Sequence, residues 1–110
     1  MRQGEYNMPQ EHASEGVKIA DFSWVITAPL ATSILAQYGV EVVKVESMTA
    51  PCLTRPYAPY KDGVPGVNRG SLFCMLNKNK YSLALNLRKP QGVEIAKRLV
   101  VWSDVVVESF

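Results

Sequence analysis

"VKIADFSWVITAPLATSILAQYGVEVVKVE", residues 17–46, decides how the chain is built. VKIADF (17–22) is a short run with β-branched residues, suited to a buried strand. Thr27 can cap a helix whose first turn holds Pro29, where a missing N–H costs nothing. Leu30, Ile34, Leu35 and Tyr38 then fall near one face, and Gly39 suits the position just past the helix end. EVVKVE (41–46) reads as a second strand. A strand, helix and strand joined this tightly form a βαβ unit, with parallel strands and a right-handed crossover.

Before this unit, residues 1–16 are polar, contain Gly4, Pro9 and Gly16, and read as a flexible tail. After it, Ser47 to Gly70 holds four prolines and no sustained periodicity, a connection long enough to suggest a binding or substrate-covering loop. SLFCMLN (71–77) predicts one or two helical turns and YSLALNL (81–87) a strand. Pro90 starts a helix with Val93, Ala96, Leu99 and Val100 on its apolar face, and DVVVES (104–109) is a last strand. The expectation is an α/β fold, a Rossmann-like parallel sheet built from two βαβ units. Val105, Val106 and Val107 form the consecutive apolar run of a strand covered on both faces. Residues 17–110 therefore read as an incomplete, N-terminal portion of a larger domain, truncated at Phe110; the alternative is a small domain whose last strand lies in a dimer interface.

A 110-residue chain, 47% hydrophobic and 20% charged, fits at most one globular domain. Cys52 and Cys74 lack CxxC spacing, and with one distant His12 they cannot assemble a four-ligand zinc site; no metal is expected. Nothing approaches the roughly 20 apolar residues of a membrane span, and the polar start is no signal peptide, so a cytoplasmic protein is the default expectation. Charge is uneven. Residues 69–98 carry seven basic side chains against Glu94 alone, a segment that could attract an anion or be a solvated face.

An NAD site would use Glu46, at the end of the second strand, as its ribose-binding acid. SWVITAP after the first strand, however, has no GxGxxG, and Trp24, Val25 and Ile26 would obstruct a pyrophosphate. A Ser/His/Asp set would have to recruit His12 from the tail, and Asp21, Asp62 and Asp104 read as structural or turn residues rather than nucleophiles. The turn before the helix can present backbone N–H groups, with Trp24 and Ile26 supplying apolar surface, which suits a large amphiphilic ligand.

Taken together, DF, AP, YGVEVVKVE, NKNK, SLALNL, KPxG and DVVVESF, with Arg55 in the Pro-rich loop, resemble the N-terminus of family III (CaiB/BaiF-type) CoA-transferases over residues 16–110. The α-methylacyl-CoA racemases are related. The resemblance implies a Rossmann-like large domain in an interlocked homodimer. It also implies transfer of CoA from an acyl-CoA to a carboxylic acid acceptor through a catalytic aspartate that lies downstream of DVVVE(S/N)F, outside these residues. On its own the 110-residue chain would then be inactive, and a non-catalytic CoA-binding or partner-binding module is the alternative. The family's contacts to coenzyme A map onto Ile26 and Thr27, Ser47, Leu85, Asn86, Leu87 and Arg88, and Ser109 with Phe110. Arg88, beside Lys89, is the candidate for a CoA phosphate. The chain departs from the family pattern in three places: Thr27-Ala28-Pro29 stands where AGP is common, Ser47 where some members have arginine, and Ser109 where asparagine is usual.

Overall fold

The computed structural model describes residues 12–110. Four strands, β1 (Lys18–Asp21), β2 (Glu41–Glu46), β3 (Tyr81–Ala84) and β4 (Val105–Val107), form one sheet in the order β3-β2-β1-β4. Every pairing is parallel, with Ile19 opposite both Val42 and Val105 and Lys44 opposite Ser82. Helix α1 (Thr27–Gln37) links β1 to β2, α2 (Ser71–Leu76) precedes β3, and α3 (Pro90–Trp102) links β3 to β4. The α/β sheet expected from two βαβ units is therefore present. Because the chain moves outward from β1 through β2 to β3 and then crosses back to β4, the order reverses at the β1/β4 boundary, where open parallel sheets form a crevice beyond their C-terminal ends.

Strand alternation assigns the two faces. Asp21 meets α1 through a 2.7 Å hydrogen bond from Thr32, and Ile19 shares that face. Lys18 points the other way, its Nζ 5.5 Å above the Trp102 ring of α3. Ile19, Val42, Ala36 and Val40 make the apolar core under α1, with Val107 packed against it. Each fully buried aliphatic side chain there is worth about 1.5–3 kcal/mol.

Several boundaries and faces differ from the sequence expectation. Thr27 is the first helical residue rather than the cap; Ile26 takes the cap position without a side-chain hydrogen bond. The reason lies one residue earlier, where Val25 at φ 64° already turns the chain into the helix. Gly39 sits just past the helix end at φ 97°, as its type suggests. The face α1 buries is Pro29, Thr32, Ser33 and Ala36, while Leu30, Ile34, Leu35 and Tyr38 are 41–58% exposed. Small and hydroxylic residues let α1 approach the sheet closely and bond to the polar groups beneath. On α3 only Gly92 is buried; Ala96 and Leu99 are half-buried and Val93 and Val100 exposed. Val105 and Val106 are about half exposed, because β4 is an edge strand among the described residues.

Most of the expected tail, residues 1–11, lies outside the described residues; residues 12–16 form a turn whose Ser14 N–H donates to the Tyr38 carbonyl at 3.0 Å. The 47–70 connection is organised by two arginines. Arg55 spans from Glu46 to the Asn68 side chain and stacks over Phe73 at 3.7 Å, while Arg69 donates to the Val64 and Lys61 carbonyls and to Asp62.

Candidate functional site

All the residues singled out for CoA lie beyond the C-terminal ends of the strands: Ile26 and Thr27 after β1, Ser47 after β2, Leu85 to Arg88 after β3, and Ser109 and Phe110 after β4. The parallel sheet brings these strand ends to one edge although they span most of the sequence. There a cleft of about 180 Å³ opens, lined by Ser47, Leu85, Asn86, Leu87, Arg88 and Phe110 together with Phe22, Trp24, Val45, Glu46, Thr49 and Ala50. That is below the roughly 300–1,000 Å³ of pockets that enclose a drug-sized ligand. The cleft holds one ring or one arm of a large ligand, not the whole of it.

The turn after β3 is shaped by local polar bonds. Leu85 N–H donates to the Glu46 carbonyl at 2.8 Å, and the Asn86 side-chain oxygen accepts Arg88 N–H at 3.0 Å. Gly92 in the first turn of α3 touches the Asn86 backbone so closely that a Cβ there would collide with its carbonyl, which explains the KPxG spacing. Arg88 is exposed and makes no ion pair among the described residues, leaving its guanidinium available at the cleft.

Three of the singled-out residues do not line the cleft. Ile26 and Thr27 stand at the start of α1, where Pro29 has no N–H and Leu30 N–H is taken by the Ile26 carbonyl; the groups presented are the Thr27 and Ala28 amides. Ser109 is occupied: its hydroxyl accepts Trp24 N–H at 2.9 Å and lies 3.1 Å from the Trp24 carbonyl, to which it donates. Trp24 and Phe110 meet edge to face at 6.0 Å, so the segments after β1 and β4 close on each other. Phe22, Thr49 and Ala50 were not singled out from the sequence. Phe22 was legible as the apolar residue one step past β1; nothing in the Pro-rich loop marked the other two.

The basic segment is not one surface. Lys80 is buried, its Nζ 2.9 Å from Asp21 Oδ2, 2.8 Å from the Pro29 carbonyl and 3.0 Å from Asn77 Oδ1. Asp21 is fully buried and also accepts the Ser23 amide at 2.9 Å, the Ser23 and Thr32 hydroxyls, and the charge of Lys44 at 3.6 Å. Burial pushes the Asp21 carboxyl up, but the Ser23 and Thr32 hydroxyls and the Lys44 and Lys80 ammonium groups outweigh it and hold the group below its ordinary value. Burial lowers Lys80 in spite of Asp21. Glu46, burial notwithstanding, is also held low, by hydrogen bonds from Arg55 and the Cys52 amide and by the Arg55 and Lys44 charges. Its carboxylate is therefore occupied and not free for a ribose, which removes the support for an NAD site. Asp104 accepts Lys18 N–H at 2.9 Å and Asp62 pairs with Arg69, so none of the chain's aspartates projects into the cleft.

Among the described residues no helix is long and apolar enough to cross a membrane. Residues 15–110 match the model of CoA-transferase family III. Succinyl-CoA:glutarate CoA-transferase of Mus musculus is 42% identical over 97 residues, 87% of this chain and 21% of that protein. Formyl-CoA:oxalate CoA-transferase of Bradyrhizobium sp. (strain ORS 278) is 39% identical over 98 residues, 89% of this chain and 22% of that protein. The crystal structure of a CAIB/BAIF family protein from Brucella suis superposes with a TM-score of 0.79 at 29% identity, covering 92% of this chain and 26% of that one. The chain thus spans about a fifth to a quarter of the length of the relatives it matches.

Proposed function

The chain belongs to CoA-transferase family III, and on that premise we propose that the complete protein moves CoA from an acyl-CoA to a carboxylic acid, with this segment forming part of the CoA site. Both relatives named above pair a CoA thioester with a carboxylate. The observation that carries the reading is the convergence of Ser47, Leu85–Arg88 and Phe110, from three separate strand ends, on one cleft with the Arg88 guanidinium, unpaired among the described residues, at its rim. Phe22, Trp24 and Phe110 offer flat apolar surface to a ring or to the pantetheine arm, and the exposed Arg88 offers planar donors to a phosphate. Ile26 and Thr27 would meet the ligand through helix-start amides. Ser109 would act through Trp24 rather than by contact. The acyl-accepting aspartate belongs, in this reading, to a part of the protein beyond these residues, and the working unit is a homodimer.

Calorimetric titration of the complete protein with CoA tests the proposal. Arg88→Ala is expected to weaken binding by about 1–3 kcal/mol, the range for a charged hydrogen bond, or about 5- to 150-fold in Kd. An unchanged Kd removes Arg88 from the site, and no affinity in the parent protein overturns the reading.

A further inference from the structure

Ser23 lies between two of the cleft-lining aromatics, Phe22 and Trp24, yet it is itself fully buried and faces away from the cleft, toward the ion pairs under α1. Every polar group of this residue is engaged there. Its N–H donates to Asp21 Oδ1 at 2.9 Å, its hydroxyl donates to the same oxygen, and its carbonyl accepts the Lys44 ammonium, which is 97% buried and 3.6 Å from Asp21 Oδ1. Asp21 is in turn fixed by Thr32 at 2.7 Å and Lys80 at 2.9 Å. The grip is therefore anchored in β1, β2, α1 and the turn before β3, and it acts on the single residue that joins the two aromatic rings of the wall.

The next residues show what that grip sustains. Val25 occupies the left-handed region at φ 64°, a conformation that a β-branched residue adopts only when its surroundings impose it. On one side of Val25 the chain is held at Ser23; Trp24 itself is held on its other flank by the Ser109 hydroxyl, through both N–H and carbonyl. With both held, the Trp24 ring meets Phe110 at 6.0 Å across the cleft.

We propose that Ser23 is a positioning residue for the aromatic wall of the CoA cleft, transmitting the rigidity of the buried Asp21–Lys44 pair to Phe22 and Trp24. This rests on the functional reading given above. Ser23 touches no ligand. Its hydroxyl and carbonyl fix the direction in which the chain leaves β1, and hence the angle at which Trp24 faces the adenine or pantetheine. Releasing the grip leaves Val25 free to relax out of its strained conformation and swings the indole away from Phe110.

The test uses the complete protein carrying 5-fluorotryptophan, with Trp24 assigned from the signal lost in Trp24→Phe, and compares Ser23→Ala, Ser23→Thr and Val40→Ala. Val40 is a core residue outside the cleft and serves as a control for lost stability. Ser23→Ala is expected to move or broaden the Trp24 fluorine resonance in the unliganded protein. It should also raise the Kd for CoA by about five- to tenfold, the effect of one lost hydrogen bond on alignment. Ser23→Thr, which keeps the hydroxyl, should recover most of the affinity, and Val40→Ala should leave both readouts unchanged despite a lower Tm. A Trp24 resonance unaltered in Ser23→Ala overturns the inference whatever the binding shows, as does a Kd rise matched by Val40→Ala. A resonance that moves in a parent protein with no CoA affinity would overturn the functional reading while supporting the hold of Ser23 on the wall.

Discussion

Replacing Lys80 by methionine keeps most of the apolar body of the side chain and removes the ammonium group, with its charge and its donors, so it deletes one partner of the buried ion pair. In the parent protein the Lys80 side chain is 1% exposed and all its donors are used, on Asp21 Oδ2 at 2.9 Å, the Pro29 carbonyl at 2.8 Å and Asn77 Oδ1 at 3.0 Å. Breaking a buried pair by deleting one partner costs about 3–5 kcal/mol, because the remaining charge is left uncompensated. Asp21 would keep Lys44 at 3.6 Å and the Ser23 and Thr32 hydroxyls, which places the expected loss at the lower end, about 3 kcal/mol. Against a typical stability of about 5–15 kcal/mol this is a large fraction. The assay is urea denaturation followed by circular dichroism, run with Asp21→Asn and the double variant to close a cycle; a coupling of about 2 kcal/mol is expected. A loss below about 1 kcal/mol, the value of an exposed pair, would refute the argument that Lys80 is charged and load-carrying in the interior.

Gly92→Ala would push a methyl group into the Asn86 carbonyl and displace the turn that carries Leu85 to Arg88; a loss of about 1–3 kcal/mol in stability, with weaker CoA binding in the same variant, is expected from thermal melts and calorimetry. Asp21 and Glu46 both titrate below their ordinary values of 3.8 and 4.5, so the stability they contribute is complete above those values and is lost as pH falls through the lowered folded values. Lys44 helps hold both carboxylates down, and Lys44→Met is therefore expected to move the onset of acid unfolding, followed by circular dichroism from neutral pH downward, to higher pH.

The sheet and its three helices were legible because their signals are local: β-branched runs, Pro29 and Pro90 at helix starts, and Gly39 after α1. The order of the strands, β3-β2-β1-β4, was not legible there and comes from the structure. What the sequence concealed was which face of α1 turns inward. Periodicity grouped Leu30, Ile34, Leu35 and Tyr38, but the sheet beneath α1 holds Asp21, whose partner Lys80 is 59 residues away, and a helix over an ion pair buries Thr32 and Ser33 instead. The same separation made Lys80 look like part of a solvated basic face. At the candidate site, resemblance supplied residues that the fold does gather at one sheet edge. It could not show that Ser109 spends its hydroxyl on Trp24, a contact across 85 residues.

The pairing of β4 with β1 has a kinetic consequence. Lys18 N–H donates to Asp104, and Asp104 N–H to the Lys18 carbonyl, across a separation of 86 residues, whereas β1 meets β2 with Lys18 opposite Glu41. Closing the longer loop is less favourable by about 1.2 kcal/mol, roughly two doublings of length at about 0.6 kcal/mol each. β1, α1 and β2 can assemble as soon as they are synthesised, but the far edge of β1 waits, with its backbone amides open, until nearly all of these residues have emerged. High contact order of this kind slows folding, and an apolar strand edge left open recruits strands from other chains. Val105–Val107 then act as a late-arriving cap, and conditions that delay them favour aggregation over folding.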